Sequence, residues 1–198
     1  MNRFAILPAM LLLLFGLFLL VSSGGSLREV PALVTVSLDE LRIDPSSGDR
    51  IYNGLPFTGL AVQRRGDGQL ASEEPFKNGR RHGLLRRWFD NGELAFESAY
   101  ERGRRDGMTR SWWRNGNIRS KTMYVEDKAN GIAWRWYRDG EKFKRYSFSA
   151  GVPSGIQQAW RRNGKLFSNF EYRNGRAYGL RNANLCVELE NETVAIGG

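Results

Sequence analysis

Phe76-Lys77-Asn78-Gly79-Arg80-Arg81-His82-Gly83-Leu84-Leu85-Arg86-Arg87-Trp88-Phe89-Asp90-Asn91-Gly92-Glu93-Leu94-Ala95-Phe96-Glu97-Ser98-Ala99 spells one complete unit of this 198-residue chain. Every 24 residues the same kinds of residue return. Aromatics stand at Tyr52, Phe76, Tyr100, Tyr124, Phe148 and Tyr172, and glycines at Gly59, Gly83, Gly107, Gly131, Gly155 and Gly179. A second glycine series keeps the step at Gly68, Gly92, Gly116, Gly140 and Gly164. Three series in one register, without an insertion, mark an array of like supersecondary units that lean on one another.

Within a unit, Asn91-Gly92 lies between two alternating runs. That dipeptide is the strongest short hairpin signal, because both residues accept positive φ. Asn115-Gly116, Asp139-Gly140 and Asn163-Gly164 take its place in later units. The other connection carries two glycines four apart, as in Gly79 with Gly83 or Gly151 with Gly155. Each unit therefore reads as two strands and two turns, and no stretch beyond residue 50 carries capped helical periodicity. The expected fold is all-β: an elongated antiparallel β-meander of stacked hairpins built from 24-residue repeats, preceded by one N-terminal apolar helix.

Numbering from the opening aromatic as position 0, a strand's period of two groups the even positions on one face. Position 8 reads Leu60, Leu84, Met108, Ile132, Ile156 and Leu180, and position 18 reads Leu70, Leu94, Ile118, Lys142 and Leu166. Position 12 carries Trp88, Trp112, Trp136 and Trp160, with Arg64 in the first unit. The Trp column and the opening aromatics are thus expected to form one repeat core, the sheet hiding its own apolar face. Odd positions are mixed and basic: Arg87, Ser111, Arg135 and Ala159 at 11, Glu97, Lys121, Arg145 and Asn169 at 21. Second aromatics Phe89, Trp113 and Tyr137 share that phase. Arg87, Phe89, Arg110, Trp113, Arg135 and Tyr137 are the expected partner-binding surface.

Charge agrees with an anionic partner. The chain carries 30 Lys and Arg against 21 Asp and Glu, a formal net charge of +9. Residues 51–186 carry +13, against −1 for residues 1–50 and −3 for the acidic tail, residues 187–198. Such an excess favours acidic proteins or anionic envelope components. At the other end, Phe4 to Val21 form an uncharged run of 18 residues after Arg3. This suits a signal peptide or an N-terminal membrane anchor over residues 1–21. Residues 22–50 read as a linker, with a short strand over Leu33-Val34-Thr35-Val36 and a turn over Asp44–Asp49, and residues 51–186 as about five and a half repeats. Export, to a periplasmic or other extracytoplasmic site, makes nucleic acid an unlikely partner.

The pattern Tyr/Phe, Asn-Gly-x-x-x-Gly, Trp-aromatic-x-Asn-Gly-x-Leu, clearest in Phe76 to Leu94, resembles the variant form of the MORN repeat. From about Tyr52 to Gly179 the chain is similar to proteins labelled YwqK-like antitoxins. The resemblance implies stacked hairpins that serve as scaffolds and binding surfaces.

Material for catalysis is scarce. The single histidine, His82, occupies a turn position that holds Thr58, Asp106, Asn130, Ser154 and Tyr178 elsewhere. Cys186, the single cysteine, has no disulfide partner and no histidine near it in sequence. No metal-ligand spacing occurs, so no enzyme, cofactor or metal is expected. The sequence reads as a non-enzymatic exported scaffold that binds a protein or envelope component through a basic, aromatic β surface. The alternative is an antitoxin that neutralises a toxin by direct binding. Oligomeric state is left open.

Overall fold

The computed structural model describes residues 34–180. The apolar run with its expected helix, Cys186 and the acidic tail lie outside them. The one helical element described is a short 3-10 turn, Leu38–Glu40. The chain otherwise builds a 15-stranded sheet and a small three-stranded one. In the large sheet the strands Gly59–Arg64, Leu70–Lys77, Gly83–Trp88, Leu94–Glu101, Arg104–Trp112 and Ile118–Val125 follow in chain order. Gly131–Trp136, Lys142–Ser149, Gly155–Trp160, Leu166–Arg173 and Arg176–Leu180 continue the series, each antiparallel to the last. The expected meander of hairpins is present throughout.

The two turn types are exchanged relative to the sequence reading. At Asn78-Gly79 both residues have positive φ, 50° and 78°, between the paired residues Lys77 and Arg80. This is the two-residue I′ hairpin, whose twist matches that of its strands. It recurs at Arg102-Gly103, Glu126-Asp127, Ala150-Gly151 and Asn174-Gly175. At Asn91-Gly92, by contrast, only the glycine has positive φ, at 82°. The Gly92 N–H donates to Phe89 O, and the Phe89 N–H to Glu93 O. Asp90 and Asn91 are the corners of a type I-like turn that ends in a left-handed glycine. Asn91 serves through its side chain, accepting the Glu93 N–H at Oδ1, 3.2 Å.

That longer turn changes the phase of every unit. Leu84 pairs with Ala99, Leu85 with Ser98, Arg86 with Glu97 and Arg87 with Phe96. Paired positions thus sum to an odd number, so even positions on one strand share a face with odd positions on the next. A bulge between Arg87 and Trp88 then skips one residue and sets Trp88 opposite Leu94. The same bulge recurs in all five hairpins. Trp and Leu do share a face with position 8, as expected. The opening aromatics do not: Tyr100 pairs with Gly83 and lies on the opposite face, with Leu85 and Ser98.

It is this second face that buries best. Position 9 is the most enclosed column, with Ala61, Leu85, Thr109, Ala133 and Gln157 all buried. Its members sit between position-20, -22 and -24 neighbours such as Phe96, Ser98 and Tyr100, within diagonal reach of the aromatic rings. Leu85 is 2% exposed, whereas Leu84, expected in the core, is 42% exposed. The Trp column is half-buried.

Residues 34–57, which span the described part of the expected linker (34–50) and the first seven residues of the expected array (51–57), fold as a cap. Thr35–Ser37 pairs in parallel with Gly59–Arg64 at the sheet edge. Arg42–Ile43, Arg50–Tyr52 and Leu55–Pro56 form the small sheet. Val36, Leu41 and Phe57 bury against Ala61 and Phe76, with Leu38 and Tyr52 packed around them. Position 7 of the first unit must be glycine for this docking. A Cβ on Gly59 would stand 2.3 Å from Val34 O, the acceptor of the Leu60 N–H.

Candidate binding face

The six residues expected to form one partner surface are distributed over three places. Arg87 and Arg135 lie on the opening-aromatic face. The Arg87 guanidinium is 3.6 Å from Glu74 and 6.0 Å from the Phe96 ring centre, and Arg135 stands 5.6 Å over Tyr146. Arg110 is on the Trp face, 3.1 Å from Glu97. Phe89, Trp113 and Tyr137 belong to the hairpin turns, where they join one unit to the next. Trp113 Nε1–H donates to Trp136 O at 3.3 Å, and Tyr137 O–H to Trp160 O at 2.9 Å. Arg65 does the same to Trp88 O. Phe89 has no donor and instead lies under the Arg114 guanidinium, 5.4 Å away. The bulge and the odd pairing separate these six residues, and neither is visible in residue spacing.

What the fold does bring together is a striped Trp face. Position 8 with position 23 forms an aliphatic row, in which Leu84, Met123, Ile132 and Ile156 are exposed. Position 12 with position 18 forms the Trp row. Between them runs a charged row of cross-strand neighbours: Glu73, Arg86, Glu97, Arg110, Lys121, Trp134, Arg145 and Gln158. Its first half neutralises itself, since Arg86 lies 3.0 Å from Glu97 and 3.9 Å from Glu73, and Arg110 lies 3.1 Å from Glu97. Its second half does not. Position 21, glutamate at 73 and 97, becomes Lys121 and Arg145, and Lys121 stands directly opposite Arg110. Like charges across a ladder are destabilising. Trp134 sits in this half, stacked on Trp136 at 6.1 Å and on Trp160 at 5.9 Å, with Lys142 Nζ 5.7 Å from its ring centre. Lys121, Trp134, Lys142 and Arg145 were not among the residues expected from sequence. The signal was the glutamate-to-cation change at position 21.

The same contrast holds for the rest of the array. From Arg80 to Arg114, each of the nine arginines has a carboxylate within 4.0 Å. From Arg119 to Arg162 there are ten Lys and Arg against four Asp and Glu. Among the described residues, only Arg162 of those ten has such a partner, Asp139 at 3.7 Å. Of the others, Arg145 donates to Ile156 O at 3.1 Å, and several rest on aromatic rings, as with Arg119 over Trp113 at 4.7 Å.

At the I′ turn edge the carboxylates are committed to structure. Burial pushes the Asp127 carboxyl up, but the Arg105 N–H and guanidinium, both at 3.0 Å, outweigh it and hold it below the ordinary value. In the longer turn at the opposite edge, a hydrogen bond from Arg114 lowers Asp90 as well. A concavity of about 500 Å³ lies at the I′ turn edge and is lined by Asp49, Lys77, Asn78, Arg80, His82, Glu101 and Arg102. His82 Nδ1 is 3.3 Å from Glu101, and Arg80 is 2.9 Å from Asp49, so its lining groups pair with each other. Among the described residues no group of three or more His, Cys, Asp or Glu could hold a metal ion. None of the described helices is long and apolar enough to cross a membrane.

Residues 81–102 and 105–126, two consecutive units one period apart, match the MORN repeat variant. The chain carries repeats of this kind. No curated protein gives a significant match. The repeat assignment agrees with the hairpin geometry, in which the MORN-type Asn and Gly positions are those of the two turns.

Proposed function

We propose that this protein is an exported, non-enzymatic repeat scaffold that binds a protein or anionic envelope component through its basic, aromatic sheet surface. The observation that supports this is the contrast along the array. Nine of nine arginines are ion-paired between Arg80 and Arg114, against one of ten cations between Arg119 and Arg162. An array that needed its charges only for its own stability would have continued the Glu73 and Glu97 pattern. Unpaired cations raise the local potential and steer anionic partners. Export rests on the apolar run from Phe4 to Val21 after Arg3.

Two measurements test the reading. Cell fractionation with N-terminal sequencing of the mature chain should place it outside the cytoplasm; a cytoplasmic chain with an intact, soluble N-terminus rejects export. Affinity capture with the full chain should recover an acidic partner whose binding weakens as salt rises. Capture that does not change with salt rejects the charged surface. An antitoxin is the same binding reading with a toxin as the acidic partner, and survival of cells co-expressing the two would distinguish it.

A further inference from the structure

We propose that the Trp face of the third to fifth units docks an extended acidic polypeptide segment in which each carboxylate is flanked, two residues away on either side, by apolar side chains. This rests on the scaffold reading and specifies its site and ligand. The argument is one of register. The aliphatic, charged and Trp rows occupy positions 8, 10 and 12 of each first strand, so they are two residues apart, about 6.5–7 Å. A segment lying along the strand direction presents side chains i, i+2 and i+4 at the same spacing. It can therefore set an apolar side chain over Ile132 or Ile156, a carboxylate over the charged row and a second apolar side chain over the Trp row.

The charged row itself indicates which ligand chemistry it takes. Where it is complete, a carboxylate bridges two cations, as Glu97 does between Arg86 and Arg110 at 3.0 and 3.1 Å. At position 21 of the next two units a cation replaces that carboxylate: Lys121 faces Arg110 and Trp134, and Arg145 faces Trp134 and Gln158 with its guanidinium donating to Ile156 O at 3.1 Å, so the row there holds positive charge with no carboxylate of its own. Ile132 and Ile156, 47% and 44% exposed, leave the flanking row open to apolar contact. Bases and sugars suit the site less well. They need an open ring face, and Trp134 has stacked indoles at 5.9 and 6.1 Å and a lysine ammonium at 5.7 Å.

The test uses the full chain and a fluorescein-labelled peptide repeating Leu-Ser-Glu-Ser, read by anisotropy at about 0.15 M salt. The control peptide repeats Leu-Ser-Gln-Ser, and vesicles of phosphatidylglycerol serve as a second probe. The double variant Lys121→Glu/Arg145→Glu copies the Glu73 and Glu97 pattern and should keep or raise the melting temperature. Its affinity for the acidic peptide should fall at least about tenfold, as should that of the wild type for the glutamine peptide. Arg135→Glu/Lys144→Glu, on the other face, should bind the acidic peptide as the wild type does. Equal binding by the Lys121/Arg145 variant, or loss only in the Arg135/Lys144 variant, overturns the site and leaves the scaffold reading standing. Binding to vesicles with none to the peptide overturns the polypeptide in favour of a lipid surface. Failure of the peptide, the vesicles and affinity capture alike rejects both readings.

Discussion

Leu84 and Leu85 are adjacent, equally apolar and oppositely placed, and they test the assignment of faces. Leu85 is enclosed between Ser98 and its aromatic neighbours, so Leu85→Ala removes buried contacts and leaves a void. It should cost about 2–4 kcal/mol in chemical denaturation, while Leu84→Ala, on the open face, should stay within about 1 kcal/mol. The reverse order would restore the even-position core. Asp127 provides a second residue-scale test. It takes the left-handed place of a glycine, φ 65°, and accepts two hydrogen bonds from Arg105. Its folded-state pKa is depressed, so its contribution is present above the unfolded value, about 3.9, and is lost as pH falls through the folded one. Asp127→Asn should therefore be less stable than wild type near neutrality, by about 1 kcal/mol or less at this half-exposed site. Melting curves should converge once the pH has fallen below the depressed folded-state pKa; a gap independent of pH would remove the charge from the explanation.

At the scale of the element, the hairpin turn both reverses the chain and ties adjacent units. Position 13 donates to the Trp carbonyl of the next unit from Arg65, Trp113 and Tyr137 alike. Three unlike side chains performing one task explain why residue type at this position varies while its role does not. Position 15 adds to the tie, since Asn115 Nδ2 donates to Arg138 O at 2.8 Å. Tyr137→Phe keeps the ring against Phe143, 4.6 Å away, and removes only the donor. It should lower stability by about 0.5–1.5 kcal/mol and raise hydrogen exchange near Trp160. A neutral substitution with unchanged exchange would mean that the bond carries no weight. The sequence shows these turns plainly but not their types. Asn-Gly is compatible with both, and the number of residues between the last paired positions decides which one forms.

Across the whole molecule, stability should follow the logic of a one-dimensional array, in which each unit contacts its neighbours and little else. Deleting residues 131–154, one full period, joins the end of one I′ connection to its equivalent and preserves the facing of every strand. The shortened protein should remain β-structured and melt cooperatively at a lower temperature. Deleting 131–153 instead shifts the register by one residue and turns each following side chain to the wrong face. That variant should lose its cooperative melt by circular dichroism; equal behaviour of the two deletions would refute the array description. The cap matters at this scale too, because it covers the sheet edge at Gly59–Arg64 that would otherwise be open to pairing.

The 24-residue period, the all-β class, the two connections per unit and the chain positions of the glycines all follow from spacing, because local turn chemistry and strand length repeat with the residues that cause them. The allocation of side chains to faces does not. It depends on whether paired positions sum to an odd or even number, and the bulge after position 11 and the five-residue turn set that parity. Hence the Trp column and the opening aromatics, in phase by residue number, lie back to back. Arg87 and Arg110 were expected on one surface and look out from opposite sides. Only once the strands are paired do Lys121, Trp134 and Arg145, 24 residues from first to last, become cross-strand neighbours on a single row.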